Sequence, residues 1–373
     1  MVYKAIGLMS GSSLDGLDIV FAEFQEHAGK WEYKILQADC FAYSKEWENN
    51  LKNATSLSAR DYQLLHVEFG HYIGQLVNGF IEDNKLNFQV ALIAFHGHTT
   101  FHIPSKKMTA QLGCGAALAA VTRLPVVTDL RALDVALGGQ GAPIVPIGEK
   151  LLMDSYNYFL NIGGIANLSA KNPSPPGEGS WGNEAYIAFD ICPANRVLNL
   201  LANEAGKKYD EDGEMAASGT INNQLLDKLN ELDYYKKPFP KSLANDFGID
   251  IVYPMIRDSG IEIQDALRTY VEHIVLQTKR SIPDSRLRTP DSRLLATGGG
   301  ALNNFLMKQL QEKLNELKIE IVIPGKELVL FKEALIMALI GVLRWRQEYN
   351  VLSSVTGAVR DSIGGALWIG QEA

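Results

Sequence analysis

The sequence predicts an α/β protein in two lobes, and three observations carry that prediction. Apolar, strand-like runs alternate with helical stretches. Glycine-rich turns follow strands at four separated places. The 373 residues suffice for two domains of ordinary size. The first lobe is expected to hold residues 1–130 with 345–373, and the second residues 131–344.

Taken in order, Tyr3–Leu8 and Leu17–Phe24 are apolar and loosely alternating. The turn formers Ser10–Gly16 between them predict a β-hairpin with a glycine- and hydroxyl-rich tip. Arg60–Ile81 carries apolar residues at helical spacing and predicts a long amphipathic helix. Val90–Phe95 reads as a buried strand ending in His96-Gly97-His98, Ala110–Val121 as a small-residue helix, and Val126–Thr128 as a strand. Gly138-Gly139-Gln140-Gly141-Ala142-Pro143 precedes a further helix, and strand Tyr158–Asn161 runs into Gly163-Gly164-Ile165-Ala166-Asn167.

Residues 172–184, rich in Pro, Gly and Ser, read as an exposed loop. Ile187–Phe189 is a short strand that delivers Asp190, and Ala194–Ala205 is helical. Pro283–Leu287 recurs as Pro290–Leu294, a duplication that suits a surface loop rather than a repeat architecture. A strand reaching Ala296 leads into Thr297-Gly298-Gly299-Gly300-Ala301. Then come helix Asn304–Leu317, strand Ile319–Ile323 and the apolar helix Glu333–Tyr349.

Composition excludes several function classes. The net charge is −8 and no basic patch dominates, so nucleic acid is not an expected partner. An anionic nucleotide is not excluded, because backbone N–H groups and a bound cation create local positive potential. The longest apolar run, Ala334–Leu343, is about half the ~20 residues that cross a bilayer, so no membrane partner is expected. The first residues run straight into a strand pattern without a secretory signal core. Three widely spaced cysteines, Cys40, Cys114 and Cys192, fit reduced thiols in a cytoplasmic protein. His96, His98 and His102 cluster, but lack accompanying ligands at zinc spacing.

Four glycine turns after apolar strands are the pattern to explain. Glycine lets main-chain N–H groups approach phosphate oxygens closely. The P-loop lysine motif is absent, as is a dinucleotide fingerprint opening a first βαβ unit. A nucleotide held by two hairpin loops and a helix start fits better.

The stretch Gly7–Asp18 resembles the first phosphate loop of the anhydro-N-acetylmuramic acid kinases. So do Asp129-Leu130-Arg131, Gly138–Pro143, Asn161–Asn167 and Gly298-Gly299-Gly300-Ala301-x-Asn303. Pro240-Lys241-Ser242 and Thr356-Gly357-Ala358 are similar to that family's pattern as well, and the matches keep the family's order from about residue 6 to residue 365. The resemblance implies a two-lobed, actin-like (ribonuclease H-like) sugar kinase fold with a central nucleotide cleft. It implies ATP and Mg²⁺ as cofactors and a small-molecule sugar as partner, with a homodimer as the assembly to test. The implied reaction opens the 1,6-anhydro ring of anhydro-N-acetylmuramic acid by hydrolysis and phosphorylates O6, which recycles cell-wall sugar. Two other readings remain open: a kinase for another anhydrosugar, and an actin-like ATP-binding regulator without sugar kinase activity.

Phosphoryl transfer asks for alignment and charge neutralisation. Ser10, Gly11, Ser12, Ser13, Asp15 and Gly16 are positioned to offer N–H and hydroxyl donors to the β- and γ-phosphates. Asp15 and Asp18 are candidates for Mg²⁺ through water, with a solvated strand aspartate as the alternative for Asp18. Asn161, Gly163, Gly164 and Asn167 would form the second phosphate loop. Gly298, Gly299, Gly300 and Asn303 would hold the ribose side at a helix start.

Opening the bridge needs a base for water. Asp190 matches the family's catalytic aspartate, the alternative being a helix cap. Asp129 and Arg131 are expected to face the sugar, arginine suiting its lactyl carboxylate, or else to form structural ion pairs. Glu333 matches a family glutamate near the sugar, with a favourable first-turn position in its helix as the alternative. The family usually has Phe-Asp-Thr-Gly-Pro-Gly-Asn where this chain has Phe189-Asp190-Ile191-Cys192-Pro193-Ala194-Asn195, and Ser12 stands for a usual threonine.

Overall fold

The computed structural model describes residues 1–11, 14–172, 185–238, 241–243, 246–283 and 292–370. Ser12, Ser13, Pro240, the loop 173–184 and most of the short duplication lie outside them. The strands are β1 (Val2–Ser10), β2 (Gly16–His27), β3 (Lys30–Ala42), β4 (Leu92–Phe95), β5 (His98–Ile103), β6 (Met108–Leu112) and β7 (Val126–Thr128). They continue with β8 (Tyr158–Ile162), β9 (Ile165–Asn172), β10 (Ala185–Pro193), β11 (Arg293–Thr297), β12 (Glu320–Val322) and β13 (Ala366–Trp368).

Two units result, one of Met1–Asp154 with Phe331–Ala373 and one of Ser155–Leu330. The first holds a sheet of order β13-β7-β4-β1-β2-β3. In it β1, β2 and β3 are antiparallel neighbours, while β4 and β7 run parallel to β1. The second holds the order β10-β9-β8-β11-β12, again with three antiparallel strands followed by two parallel ones. Leaving β13 aside, both sheets read third, second, first, fourth, fifth strand. This is the ribonuclease H-like arrangement, present twice in one chain.

Each unit has its own core. In the first, helix Ala59–Asp83 begins at Ser58, whose side chain accepts the Asp61 N–H. It buries Leu65, Phe69, Ile73, Val77 and Phe80 along one stripe against Ile6, Leu8 and Phe95 of the sheet. In the second, helix Ile263–Ser281 buries Leu267, Tyr270, Val271 and Ile274 with Leu160 and Leu168 of the sheet.

Residues 131–154 and 331–344, assigned from sequence to the second lobe, pack with the first unit. The cause is close approach. A Cβ on Gly7 of β1 would stand 1.9 Å from the Ala334 carbonyl oxygen, so only glycine lets helix Lys326–Arg346 lie on that strand. Gly148 meets Ile336 of the same helix in the same way. That helix also starts seven residues before Glu333, so Glu333 is not in its first turn.

Other elements differ from the sequence expectation. Ala110 to Leu112 belong to β6, and the helix there is Gly115–Thr122. The edge strand β3 and the β5–β6 hairpin have no counterpart in that expectation. Among the described residues no helix is long and apolar enough to cross a membrane.

Candidate active site

In the second unit, strand register sets a row of polar residues across the sheet. Thr297 of β11 pairs with Asn161 of β8, Asn161 with Asn167 of β9, and Asn167 with Asp190 of β10. Residues on one rung share a face. Three sequence-predicted site residues thus stand side by side, where the parallel strands β8 and β11 end. The Thr297 hydroxyl, fully buried, has no hydrogen-bond partner among the described residues.

The glycine turns crowd against this row. A Cβ on Gly298, which has φ +81°, would lie 2.7 Å from Asn161 Oδ1, and one on Gly300 would collide with Ile162. The carbonyls of Gly163 and Gly164 accept N–H groups of Asn195 and Ala194 at 3.1 and 2.8 Å, so this turn caps helix Asn195–Glu204. Asn303 acts as an N-cap: its Oδ1 accepts the Leu306 N–H at 2.9 Å.

Asp190 lies at an irregularity. Ladder pairing shifts between Asp190 and Cys192, leaving Ile191 as the extra residue of a β-bulge. β10 is an edge strand, and Tyr234, Lys241 and Leu243 bond to its free side at this point. Asp190 donates its N–H to the Lys241 carbonyl at 3.0 Å. Its own carbonyl accepts the Tyr234 hydroxyl at 2.6 Å, and its Oδ2 accepts the Leu243 N–H at 2.8 Å. Oδ1 takes no hydrogen bond from any described residue.

Burial raises this carboxyl above the usual range, and the Leu243 N–H pulls it back. Lys241 Nζ sits 4.7 Å over the Tyr234 ring. Ile191, Cys192 and Ala194, the departures from the family's usual sequence, all point into the core of the unit. By sequence Tyr234 is a packing residue and nothing more, since the group it bonds is 44 residues away.

In the first unit, β1 and β2 form the expected hairpin. Ser10 is only 2% exposed. Its Oγ accepts the Tyr43 hydroxyl at 2.8 Å and lies 3.2 Å from His98 Nδ1. Burial pushes His98 down to about 4, so its ring is neutral, and Nδ1 and the Ser10 hydroxyl share one hydrogen bond. The Ser10 hydroxyl, expected to face a phosphate, is therefore used internally.

Asp18 stands opposite Cys40 in register and accepts its thiol. Burial, with the charges of Glu333 and Asp15, pushes its carboxyl up to about 6 despite that hydrogen bond. Asp129 holds a left-handed backbone at φ +55° and accepts the Thr128 hydroxyl at 2.9 Å. Burial lowers the Arg131 guanidinium to about 10, while Glu333 works the other way, and Arg131 Nε has no hydrogen-bond partner among the described residues. Glu333 is raised by burial and lowered by Lys332 and Arg131.

Two supporting groups carry no signal in the sequence. Lys332 and Glu149 pair at 2.8 Å, 3% and 2% exposed, beside Glu333. Fully buried Asp134 accepts the Gly141 N–H and the Thr356 hydroxyl, both at 2.7 Å, and so ties the Gly138–Pro143 turn to the C-terminal Thr356-Gly357-Ala358. Among the described residues no three His, Cys, Asp or Glu are grouped to cage a metal.

The family model of the anhydro-N-acetylmuramic acid kinases matches residues 3–370. A protein of that name from Aliivibrio fischeri is 35% identical, over 83% of this chain and 84% of its own length. One from Haemophilus influenzae is 32% identical, over 95% of this chain and 94% of its own. Among solved structures, a distant likeness (TM-score 0.45, 15% identity, 90% of this chain and 96% of that one) is to component A of (R)-2-hydroxyglutaryl-CoA dehydratase from Acidaminococcus fermentans. With a match along almost its whole length, this chain belongs to the anhydro-N-acetylmuramic acid kinase family.

Proposed function

We propose that this protein uses ATP to convert 1,6-anhydro-N-acetylmuramic acid and water into N-acetylmuramic acid 6-phosphate. The reading is supported above all by one observation inside the family match: Asp190 carries a carboxylate anchored through Oδ2, with Oδ1 left for a water.

The steps follow from what these residues offer. Asp190 Oδ1 takes a proton from water while the water oxygen bonds to the anomeric carbon. The C1–O6 bond breaks and its electron pair stays on O6. O6 then attacks the γ-phosphorus, and ADP leaves with the bridging oxygen. Burial raises the affinity of Asp190 for that proton. Arg131 is assigned to the sugar's carboxylate, with Asp129 and Glu333 on its polar groups.

For the nucleotide, the main chain from Ser10 to Gly16 is assigned to the β- and γ-phosphates, Asn161–Asn167 to the second phosphate loop, and Gly298–Gly300 with Asn303 to the ribose side. Ser12 and Ser13 keep their assignment from sequence alone. Asp15 and Asp18 would hold Mg²⁺ through water. Burial, with the charges of Glu333 and Asp15, holds Asp18 at about 6, and a cation beside it would relieve that cost. When bound, Mg²⁺ supplies charge neutralisation on the phosphates.

Incubation with MgATP and 1,6-anhydro-N-acetylmuramic acid in ¹⁸O-water tests this. The expected product is the 6-phosphate with label at the anomeric position. ATP binding without any sugar phosphate would favour a nucleotide-binding regulator, and turnover of a carboxylate-free anhydrosugar alone would reassign the substrate.

A further inference from the structure

An edge strand leaves main-chain donors and acceptors open, and β10 opens at the residue assigned as base. A second strand does not cover it. Three residues instead take three of the polar groups of Asp190: the N–H by Lys241, the carbonyl by Tyr234 and Oδ2 by Leu243. The bulge at Ile191 removes regular ladder pairing just beyond Asp190, so its orientation depends on this outside grip. The Tyr234 ring is itself fixed, edge-on to Tyr235 at 5.5 Å and tilted against Phe247 at 5.6 Å, with Lys241 over its face.

The geometry points to Tyr234 as a positioning residue for Asp190: its hydroxyl fixes the bulged main chain so that Leu243 holds Oδ2 and Oδ1 alone is presented as base. The inference rests on Asp190 being that base. Tyr234 touches no reacting atom in it and acts through the carbonyl of Asp190. Small displacements of a reacting group carry large rate penalties, which gives a single main-chain hydrogen bond leverage over turnover.

The test compares Tyr234→Phe, Asp190→Asn and the double variant, with kcat, both KM values and the pH profile read for each. Tyr270→Phe is the control. Its hydroxyl donates at 2.7 Å to the Pro193 carbonyl, a buried bond on the same strand that does not reach Asp190. Tyr234→Phe keeps the ring contacts and is expected to lower kcat about tenfold with KM for ATP unchanged. Adding it to Asp190→Asn should cost nothing more, because the two act as one unit. Tyr270→Phe should lower the melting temperature and leave kcat alone.

Leu243→Pro, which removes the N–H from Oδ2, gives a second route if Tyr234→Phe does not fold. The acid limb of kcat/KM should then move to higher pH. Wild-type kcat in Tyr234→Phe, or an unmoved limb in Leu243→Pro, overturns the positioning role while Asp190→Asn stays inactive. Turnover in Asp190→Asn overturns the base assignment itself.

Discussion

Lys332 Nζ lies 2.8 Å from Glu149 Oε1, and neither side chain is more than 3% exposed. The pair joins helix Pro146–Leu152 to helix Lys326–Arg346, at the residue next to Glu333. Removing one partner strands a charge in the core. Lys332→Met is expected to cost about 3–5 kcal/mol in denaturant unfolding, and the double replacement Lys332→Met with Glu149→Gln to recover most of it. A double-variant loss equal to the sum of the two single losses would mean the pair is not coupled.

Asp18 sets function against stability. Its carboxyl titrates at about 6 in the fold, against 3.8 for an aspartate free of such surroundings. The folded state therefore binds its proton more tightly than the unfolded chain does. The cost of the buried charge is full above that folded value and vanishes as pH falls below the unfolded one. Asp18→Asn should raise the melting temperature at pH 7.5, with the advantage shrinking toward pH 4, while MgATP-dependent turnover drops. A melting temperature that falls at pH 7.5 would show that the carboxylate stabilises the fold.

Asp134 holds two segments more than two hundred residues apart through the Thr356 hydroxyl. Thr356→Val keeps the shape and deletes the donor. It should cost about 1–3 kcal/mol, because a fully buried carboxylate oxygen loses a hydrogen bond. The midpoint of urea unfolding, at unchanged slope, is the measurement.

Asp190 must be ionised to accept a proton, and burial raises its carboxyl. Activity should fall as pH drops, with the acid limb of kcat/KM lying above the ordinary carboxylate range of about 4. A limb at or below that range would assign it to another group.

The glycine turns, the first hairpin and the Asp190 strand were legible because each rests on local chemistry: glycine where backbones meet, an acid after an apolar run. β3 was not, because an edge strand exposes most of its length and only Trp31 of its residues is buried. The lobe boundary was misplaced because the approach of the Ala334 helix to Gly7 joins residues more than three hundred apart. The roles of Tyr234, Glu149, Lys332 and Asp134 are long-range contacts of ordinary residue types, and nothing in their neighbours marks them. Ser10 shows the converse: a hydroxyl that fits a phosphate loop by sequence is claimed by Tyr43 and His98 in the fold.

The most direct measurement is single-turnover conversion of 1,6-anhydro-N-acetylmuramic acid by Asp190→Asn, with MgATP affinity determined on the same sample. No 6-phosphate is expected, at wild-type nucleotide affinity, since only the group that takes the proton from water has changed. Formation of the 6-phosphate at the wild-type rate would contradict the assignment of Asp190 as base.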